Sequence, residues 1–274
     1  MKKLLAILMV VAVVVSVFTL AACGNQNTSS QSTSTNDSSA ASDKEAIVSK
    51  GKLIVGVTDF EPMDYKNENG EWIGFDADMA KEFAKSLGID VEIIEIDWDN
   101  KVLELNGKSI DCVWNGMTLT DEVTSAMECT DPYMNNGQVV IVNSDVADKY
   151  QKPEDCKDLK FAVESGSAGQ EMAEANGFNF TEVKDQASAL MEVKSKTSDA
   201  AIIDLLMASA MVGEGTSYSD LTYTCKLNDE KYGVGFRKGS DMANIFNEWL
   251  KQAISDGTVE KIAKEYKVEA SLIK

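Results

Sequence analysis

Polar groups directly follow two apolar runs of the chain, at positions where they could bind a small molecule. Asp204 ends the run 201–203, and a carboxylate there is costly to bury unless a cation meets it. Residues 165–169 (SGSAG) follow the run 161–163 and open a helical segment, so their backbone amides and the Ser167 hydroxyl could hold a carboxylate. Taken alone, Asp204 could equally be a solvated helix cap and Ser167 an ordinary N-cap.

The composition of the chain excludes several other kinds of chemistry. Its 274 residues include no His, so a Ser-His-Asp triad, a Cys-His pair and a His-based zinc site are all ruled out. Lys and Arg number 26 against 45 Asp and Glu, and the net charge of −19 argues against a nucleic-acid partner. Arg237 is the single arginine, so bidentate clamps on an anion are nearly unavailable.

The cysteines do not form a metal or redox motif. Apart from Cys23, they lack any CxxC spacing, so we expect neither zinc nor thioredoxin chemistry and no cofactor: Cys112, Cys129, Cys156 and Cys225. Outside the cell they could form disulfides, in an order that the sequence does not reveal. Three of the four lie in or beside apolar runs, which favours buried free thiols.

Apolar runs of strand length alternate with helical segments from about residue 46 onwards. The strand-like runs are 53–57, 91–96, 110–114, 139–142, 161–163 and 201–203. Helical periodicity covers 76–87, 169–176, 186–196 and 241–266, the last with a break expected at Gly257. This alternation predicts an α/β fold with mainly parallel sheets. The polar groups, including those of 115–118, would then lie at the carboxyl ends of strands, where such sheets bind ligands.

The first residues are typical of a bacterial lipoprotein. A short basic start precedes the apolar stretch 4–22, and Leu20-Ala21-Ala22-Cys23 has the form of a lipobox. A membrane-spanning anchor is the alternative, because this stretch could just cross a bilayer of about 30 Å. We predict a signal peptide at 1–22, diacylation of Cys23 and an anchor on the extracytoplasmic face of the cell membrane. Residues 23–44 are small and polar, and we predict that they form a flexible tether.

Ordered sequence blocks resemble those of one family. Residues 51–75 (GKLIVGVTDFEPMDYKNENGEWIGF) are similar to the opening of the bacterial family 3 solute-binding proteins, the polar amino acid receptors of ABC importers. Further blocks follow in the family's order as far as residue 267: GFDADMAKEFAKSLG, GKSIDCVWNGMTLTDE, TDPYM, FAVESGS, SDAAIID, EKYGVGFRKG and ISDGTVEKIAKEY. Several blocks in one order are more specific than any single motif.

The resemblance implies a two-lobed, periplasmic-binding-protein-like α/β fold of type II. Two α/β lobes would be joined by two crossover strands and would enclose one ligand between them. We expect lobe 1 at 45–140 plus 232–274 and lobe 2 at 141–231. The crossovers are expected near 138–143 and 226–232.

The resemblance also implies which residues line the cleft. Asp204 and the Gly116 carbonyl would meet the ligand's ammonium group, and Thr118 with the 165–169 loop would hold its carboxylate. Phe60 and Trp98 match positions where the family stacks flat side chains on the ligand, although ordinary packing would also explain them. The ligand-binding residues predicted in this way are Asp59, Phe60, Trp98, Asn115, Gly116, Thr118, Glu164, Ser165, Ser167, Ala168 and Asp204.

Two positions depart from the family's pattern. Family members usually carry an arginine shortly after the Thr-x-Thr motif, which is Thr118-Leu119-Thr120 here, and that arginine binds the ligand carboxylate. This chain has Val123 at that position. Glu164 replaces a residue that is often a neutral amide, and Asp59 adds a second acid beside Phe60. Either amides and hydroxyls hold the carboxylate, or the ligand is not a standard α-amino acid. We hypothesise a ligand with extra positive charge, a basic amino acid or an amine, with a solvent-facing Glu164 as the alternative.

The function expected from these features is ligand capture rather than catalysis. The chain would be the monomeric, lipid-anchored binding component of an ABC importer, with a small-molecule ligand, a permease and its ATPase as partners. A ligand sensor acting in trans on a membrane receptor is one alternative. A dehydratase-like enzyme on the same scaffold is another, disfavoured because the chain has no histidine and no evident acid–base pair.

Overall fold

The computed structural model describes residues 42–273 of the chain. The predicted signal peptide, the predicted acylation of Cys23 and nearly all of the predicted tether lie outside the described residues. Within 42–273 the polypeptide forms two five-stranded sheets, two two-stranded sheets and nine α-helices.

The elements are numbered in chain order. The strands are β1 Lys52–Val57, β2 Tyr65–Lys66, β3 Trp72–Ile73, β4 Asp90–Glu95, β5 Cys112–Val113, β6 Met127–Cys129, β7 Met134–Asn136, β8 Gln138–Asn143, β9 Lys160–Glu164, β10 Asn179–Val183, β11 Ala200–Asp204, β12 Leu221–Lys226, β13 Glu230–Tyr232 and β14 Gly235–Arg237. The helices are α1 Asp43–Lys50, α2 Phe75–Ser86, α3 Lys101–Asn106, α4 Asp121–Ala126, α5 Ala168–Asn176, α6 Gln186–Lys194, α7 Leu205–Met211, α8 Met242–Ser255 and α9 Thr258–Glu265.

The first large sheet has the strand order β4-β1-β5-β14-β6. Strand β1 is parallel to β4 and β5, whereas β14 is antiparallel to β5 and β6. An aromatic cluster fills the core behind it, where Trp114 packs edge-on against Phe246 with 4.9 Å between ring centroids. Phe83 and Trp249 extend this cluster. Burial of these large rings contributes to the apolar stabilisation of this half of the molecule.

The second large sheet has the order β10-β9-β11-β8-β12. Strand β9 is parallel to β10 and β11, and β8 is antiparallel to β11 and β12. Strands β8 and β11 are buried almost from end to end, which explains why their sequences are continuous apolar runs rather than alternating ones. Helices α5 and α6 contact β9 and β11, and so the ends of these strands meet the start of α5.

Two short strands carry the chain from one large sheet to the other. Strands β7 and β13 form a separate antiparallel pair, with Met134 opposite Tyr232. The chain passes from β6 through β7 into β8, and it returns from β12 through β13 to β14. The crossovers are therefore Met134–Asn136 and Glu230–Tyr232. The position expected for the first one, 138–143, was wrong, because these residues pair with β11 and β12 and belong to the second sheet.

Helix α1 begins inside the segment that the sequence assigned to the tether. Ser42 caps the helix by accepting a hydrogen bond from the Glu45 amide at 3.3 Å, and its hydroxyl donates to Asp241. Asp43 pairs with Arg237, with 3.1 Å between Oδ2 and Nε. These capping and ionic contacts hold the helix start against distant parts of the fold, and a local polar composition does not reveal them.

The predicted regular elements are all present, with shifts at their ends. The predicted break at Gly257 separates α8 from α9, and Gly257 has a φ of 83°. The run 110–114 contributes only the two-residue strand β5. Strands β10 and β12 were missed, because as edge strands with partly exposed side chains they lack a continuous apolar run.

No covalent or metal cross-link joins the elements within the described part of the chain. Cys112, Cys129, Cys156 and Cys225 are unpaired thiols, and all but Cys129 are buried. Burial raises the pKa of the Cys112 thiol well above its ordinary value, which makes it a poor nucleophile. Between residues 42 and 273, no group of three His, Cys, Asp or Glu residues could hold a metal ion, and no helix is long and apolar enough to span a bilayer.

Candidate functional site

A pocket lies between the two large sheets and takes its wall from both. The first half of the fold contributes Phe60, Trp98, Lys101, Asn115, Gly116, Met117, Thr118, Thr120, Glu122 and Val123. The second half contributes Glu164, Gly166, Ser167, Ala168, Glu171, Gln186 and Asp204. Most of these residues lie at or just beyond the carboxyl ends of β1, β4, β5, β9 and β11, which is where open α/β sheets bind ligands.

Asp204 is a buried acid at the junction of the pocket and the crossover strands. Its carboxylate accepts from Tyr232 Oη at 2.5 Å, from Gln186 Nε2 at 2.5 Å and from the Asn136 side-chain amide. Burial raises its pKa to about 7, and the nearby negative charge of Glu230 adds to the shift. A carboxylate has about four acceptor positions. Two are filled on Oδ1 and one on Oδ2, which leaves one acceptor position on Oδ2 of this pocket-lining residue.

Glu164 is a second buried acid, at the end of β9. Its side chain is 2% exposed, and Oε1 has no hydrogen-bond partner among residues 42–273. Burial, together with the negative charge of Asp204, raises its pKa to about 8. The solvent-facing alternative for Glu164 is thus wrong. A buried carboxyl oxygen without a partner is energetically costly, and a cationic ligand group would remove that cost.

The start of α5 forms the third polar part of the wall. Ser167 is the N-cap residue, and its hydroxyl accepts from the Gln170 amide at 3.2 Å. It also lines the pocket, as does Ala168 at the first helical position. The N-cap residue Ser167 is therefore also part of the pocket wall. The first amides of a helix lack intrahelical acceptors, so this end of α5 favours an anion in the pocket.

The loop after β5 is held by a dense set of internal hydrogen bonds. Asn115 accepts from the Thr58 amide at 2.9 Å and donates to Asp64 Oδ2 at 2.9 Å. The Gly116 amide donates to Asp76 Oδ2 at 2.6 Å. A side chain at Gly116, whose φ is 54°, would come within 2.6 Å of the Phe60 ring. This loop is therefore fixed in shape before any ligand arrives.

Thr118 links the pocket wall to a crossover strand. Its hydroxyl donates to Glu230 Oε1 at 2.9 Å, and Gln138 Nε2 donates to the same oxygen at 2.9 Å. Asn136 donates to Glu230 as well as to Asp204. One hydrogen-bond network thus joins the pocket to both crossover strands.

Both predicted aromatic residues are in the pocket wall and mostly buried. Phe60 is 2% exposed and meets Tyr232 edge to face, with 6.3 Å between ring centroids. Trp98 is 7% exposed and carries the Lys101 ammonium 5.2 Å from the centre of its ring. Each ring therefore has a packing role in addition to its place beside the pocket.

The structure does not bring two of the predicted residues into the pocket wall. Asp59 is exposed, while its neighbour Phe60 lines the pocket. Ser165 is half-buried outside the pocket and donates to Glu182 Oε2 at 3.1 Å. Successive side chains of an extended segment point to opposite sides. Phe60 and Glu164 line the pocket, so their neighbours Asp59 and Ser165 point away from it.

Several residues of the wall were not predicted from the sequence. Gln186 holds Asp204 from two directions, since its Oε1 also accepts from the Asp204 amide at 2.8 Å. Lys101 is 5% exposed and reaches across the pocket to the Gly166 carbonyl at 2.8 Å. Nothing in the local sequence distinguishes Lys101 from a solvated lysine. Only the meeting of distant loops gives these two residues their role.

The buried acids predict how the stability of the ligand-free protein depends on pH. The pKa values of Asp76 and Asp204 are raised to about 7, and that of Glu164 to about 8, from ordinary values near 4. The folded state therefore binds protons more tightly than the unfolded state, and stability falls as pH rises from about 5 to 8. We expect the Tm to be higher at pH 5.5 than at pH 8 by about 5 °C or more.

Calorimetry on protein refolded from denaturant, and so freed of bound ligand, measures this difference. The variants Glu164→Gln and Asp204→Asn should each flatten the pH dependence. A Tm that stays constant or rises between pH 5.5 and 8 would contradict the assignment of these acids as protonated in the empty pocket.

Two α/β halves joined by a pair of crossover strands, with a polar pocket between them and the strand ends pointing into it, define a solute-binding protein of the two-lobed type. The model of the bacterial extracellular solute-binding proteins, family 3, matches residues 53–269. The chain belongs to this family.

Individual relatives agree with this assignment. The arginine-binding extracellular protein ArtP of Bacillus subtilis (strain 168) is 30% identical over 273 residues, covering 97% of this chain and 98% of ArtP. A crystal structure of a mutant of ArgBP from T. maritima has 30% identity and a TM-score of 0.76, covering 82% of this chain and 98% of that chain. The ancestral amino acid-binding protein AncCDT-1, a precursor of cyclohexadienyl dehydratase, has 33% identity and a TM-score of 0.75, covering 82% and 99%. The type II fold implied by the sequence resemblance is confirmed.

Proposed function

We propose that this protein captures an amino acid in the pocket between its lobes and presents it to an ABC permease. We propose further that its affinity is highest for a cationic amino acid. The observation that carries the proposal is the pairing of two buried acids, Asp204 and Glu164, with a helix start that favours an anion. A basic amino acid carries two cations and one carboxylate, and so it complements this arrangement. The names of the relatives, arginine-binding for two of them, support the same ligand class.

The ligand would be held by groups from both lobes. Asp204 accepts from its α-ammonium group, Glu164 meets its side-chain cation, and Ser167 with the first amides of α5 binds its carboxylate. Phe60 and Trp98 cover the aliphatic part. Asp59 and Ser165, which lie outside the wall, are left out of this proposal.

Closure of the lobes about β7 and β13 brings the two sets of groups together. The full set of contacts exists only in the closed form, so the ligand shifts the population towards it. The permease and its ATPase would then distinguish the closed form from the open one. We place the hinge of a monomer at the crossover strands, which moves the expected lobe boundaries to about 45–136 plus 230–274 for lobe 1 and 137–229 for lobe 2.

A panel of ligands tested by thermal shift decides the ligand class. At 100 times the Kd, a ligand stabilises the folded state by about 2.7 kcal/mol, which is readily measured. We expect L-arginine, L-lysine or L-histidine to raise the Tm more than L-glutamine, and L-glutamate least. Tightest binding of L-glutamate, or no response to any amino acid, would contradict the proposal.

We also propose that Cys23 is diacylated and holds the protein on the extracytoplasmic face of the membrane. Two acyl chains give stable anchoring, because each buried methylene adds about 0.8 kcal/mol of membrane affinity. The variant Cys23→Ser should leave the membrane fraction and lose the mass of the lipid. Membrane retention of this variant would favour the alternative of a spanning N-terminal segment.

Capture leaves the ligand chemically unchanged, and this separates it from a dehydratase-like activity. AncCDT-1 motivates this comparison, because its name links an amino acid-binding protein to an enzyme lineage. Mass spectrometry of L-arginine recovered after prolonged incubation should return the intact amino acid. Loss of uptake after deletion of the gene, rather than loss of a signalling response alone, separates transport from sensing in trans.

A further inference from the structure

Lys101 is a buried cation in the pocket that has no ionic partner. It is 5% exposed, and no carboxylate oxygen lies within 4.0 Å of its ammonium group among residues 42–273. Its acceptors are two neutral carbonyl oxygens, Gly166 O at 2.8 Å and Trp98 O at a weak 3.4 Å. Lysines are rarely buried unless they are paired with an anion. A bound anionic group would therefore stabilise the buried ammonium of Lys101.

The contact made by Lys101 crosses between the lobes. Lys101 opens α3 in the first lobe, whereas Gly166 precedes the start of α5 in the second. The two sides are in close contact here, since a side chain at Gly166 would come within 2.9 Å of the Asp99 backbone. The ammonium group is thus bonded to the carbonyl that directly precedes Ser167, beside the helix start that favours an anion.

Lys101 lies in the same pocket wall as Val123, the position at which family members usually carry an arginine. Val123 belongs to the same buried apolar cluster as Trp98. The ammonium of Lys101 lies over the Trp98 ring, 5.2 Å from the ring centre. This wall therefore lacks the family's arginine at Val123 in α4 but has a cation at Lys101, the first residue of α3.

Burial lowers the pKa of Lys101, and the negative charges of several acids offset only part of that shift. Glu122, Glu164 and Glu171 line the same pocket, and Asp99 lies in the adjoining turn. Their negative charges favour the ammonium form, although none forms an ion pair with Lys101 in the described part of the chain. The ammonium group of Lys101 thus forms no ion pair among residues 42–273 and can bond an entering carboxylate.

We propose that Lys101 supplies the cationic contact to the carboxylate of the captured amino acid, beside Ser167 and the first amides of α5, in place of the arginine that Val123 replaces. This inference rests on the proposed function, because it assigns one end of that ligand. It also makes Lys101 a contact that is completed only on closure, since the same ammonium bonds the Gly166 carbonyl of the opposite lobe.

Titration calorimetry with matched ligands tests the assignment. The probes are L-arginine against agmatine, which is the same molecule without the carboxylate, and L-histidine against histamine. In the variant Lys101→Met, which keeps an apolar stem at this position, we expect the affinity for the amino acid to fall about 10- to 150-fold. The affinity for the amine should change little, so the preference for the carboxylate-bearing ligand collapses.

The controls separate this role from a structural one. Lys101→Arg should retain most of the preference, and Lys85→Met, at an exposed lysine of α2, should leave both affinities unchanged. Within each variant the preference is a ratio, so partial unfolding does not alter it. If Lys101→Met weakens amino acid and amine equally, or leaves the ratio as in the wild type, the inference is overturned. Failure of the wild-type protein to bind any amino acid would instead overturn the proposed function.

Discussion

Replacement of Asp204 by asparagine is expected to weaken amino acid binding by about two to three orders of magnitude. The substitution keeps the shape of the side chain but removes the charge that faces the ligand's ammonium group. Removal of one partner from a buried ion pair costs about 3–5 kcal/mol, because the remaining charge is left uncompensated. The measurement is titration calorimetry with L-arginine at pH 8, above the pKa of about 7 at which Asp204 ionises.

The folded state should survive this substitution. An asparagine oxygen in the Oδ1 position can still accept from Tyr232 and Asn136, and although the bond from Gln186 Nε2 is lost, the variant no longer has to bury a charge. The Tm of the ligand-free variant should therefore be close to that of the wild type. Asp148→Asn, at an exposed acid of the second half, is the matched control and should bind normally. Undiminished affinity of Asp204→Asn for L-arginine would remove Asp204 from the site.

Replacement of Glu164 by glutamine is expected to abolish the preference for a cationic ligand side chain. L-arginine and L-citrulline differ mainly in the charge of the terminal group, so their affinity ratio isolates that contact. A charge-assisted hydrogen bond contributes about 1.5–3 kcal/mol, and we expect a wild-type ratio of about 10- to 150-fold. In Glu164→Gln the ratio should approach one, mainly through loss of arginine affinity.

The pH dependence of binding gives an independent check on Glu164. Its pKa of about 8 in the empty pocket means that the ligand must displace a proton at neutral pH. The wild-type affinity for L-arginine should therefore rise between pH 6 and pH 8.5, and Glu164→Gln should lessen that rise. Glu154→Gln, at an exposed acid, is the control for a general charge effect. A wild-type protein that binds L-citrulline as tightly as L-arginine would falsify the role given to Glu164.

The residues of the pocket differ in how far the sequence could predict them. Asp204, Glu164 and Ser167 each end a strand or start a helix, and a local pattern places them at the ligand-binding edge of an α/β sheet. Asp59, assigned as the neighbour of Phe60, and Ser165, assigned as part of the 165–169 loop, lie outside the wall. Sequence position identifies the loop, but the direction of each side chain depends on which neighbour packs inward.

The sequence by itself determined the alternation of strands and helices, the family and the strand ends that carry polar groups, because these follow from local periodicity and from ordered motifs. Tertiary structure alone decided that the crossovers are β7 and β13, that Gln186 and Tyr232 hold Asp204, and that Lys101 meets Gly166. Each of these depends on contacts between segments far apart in the chain. Such contacts form only when whole elements pack together. Their free energy depends on distant residues, so no short stretch of sequence predicts them.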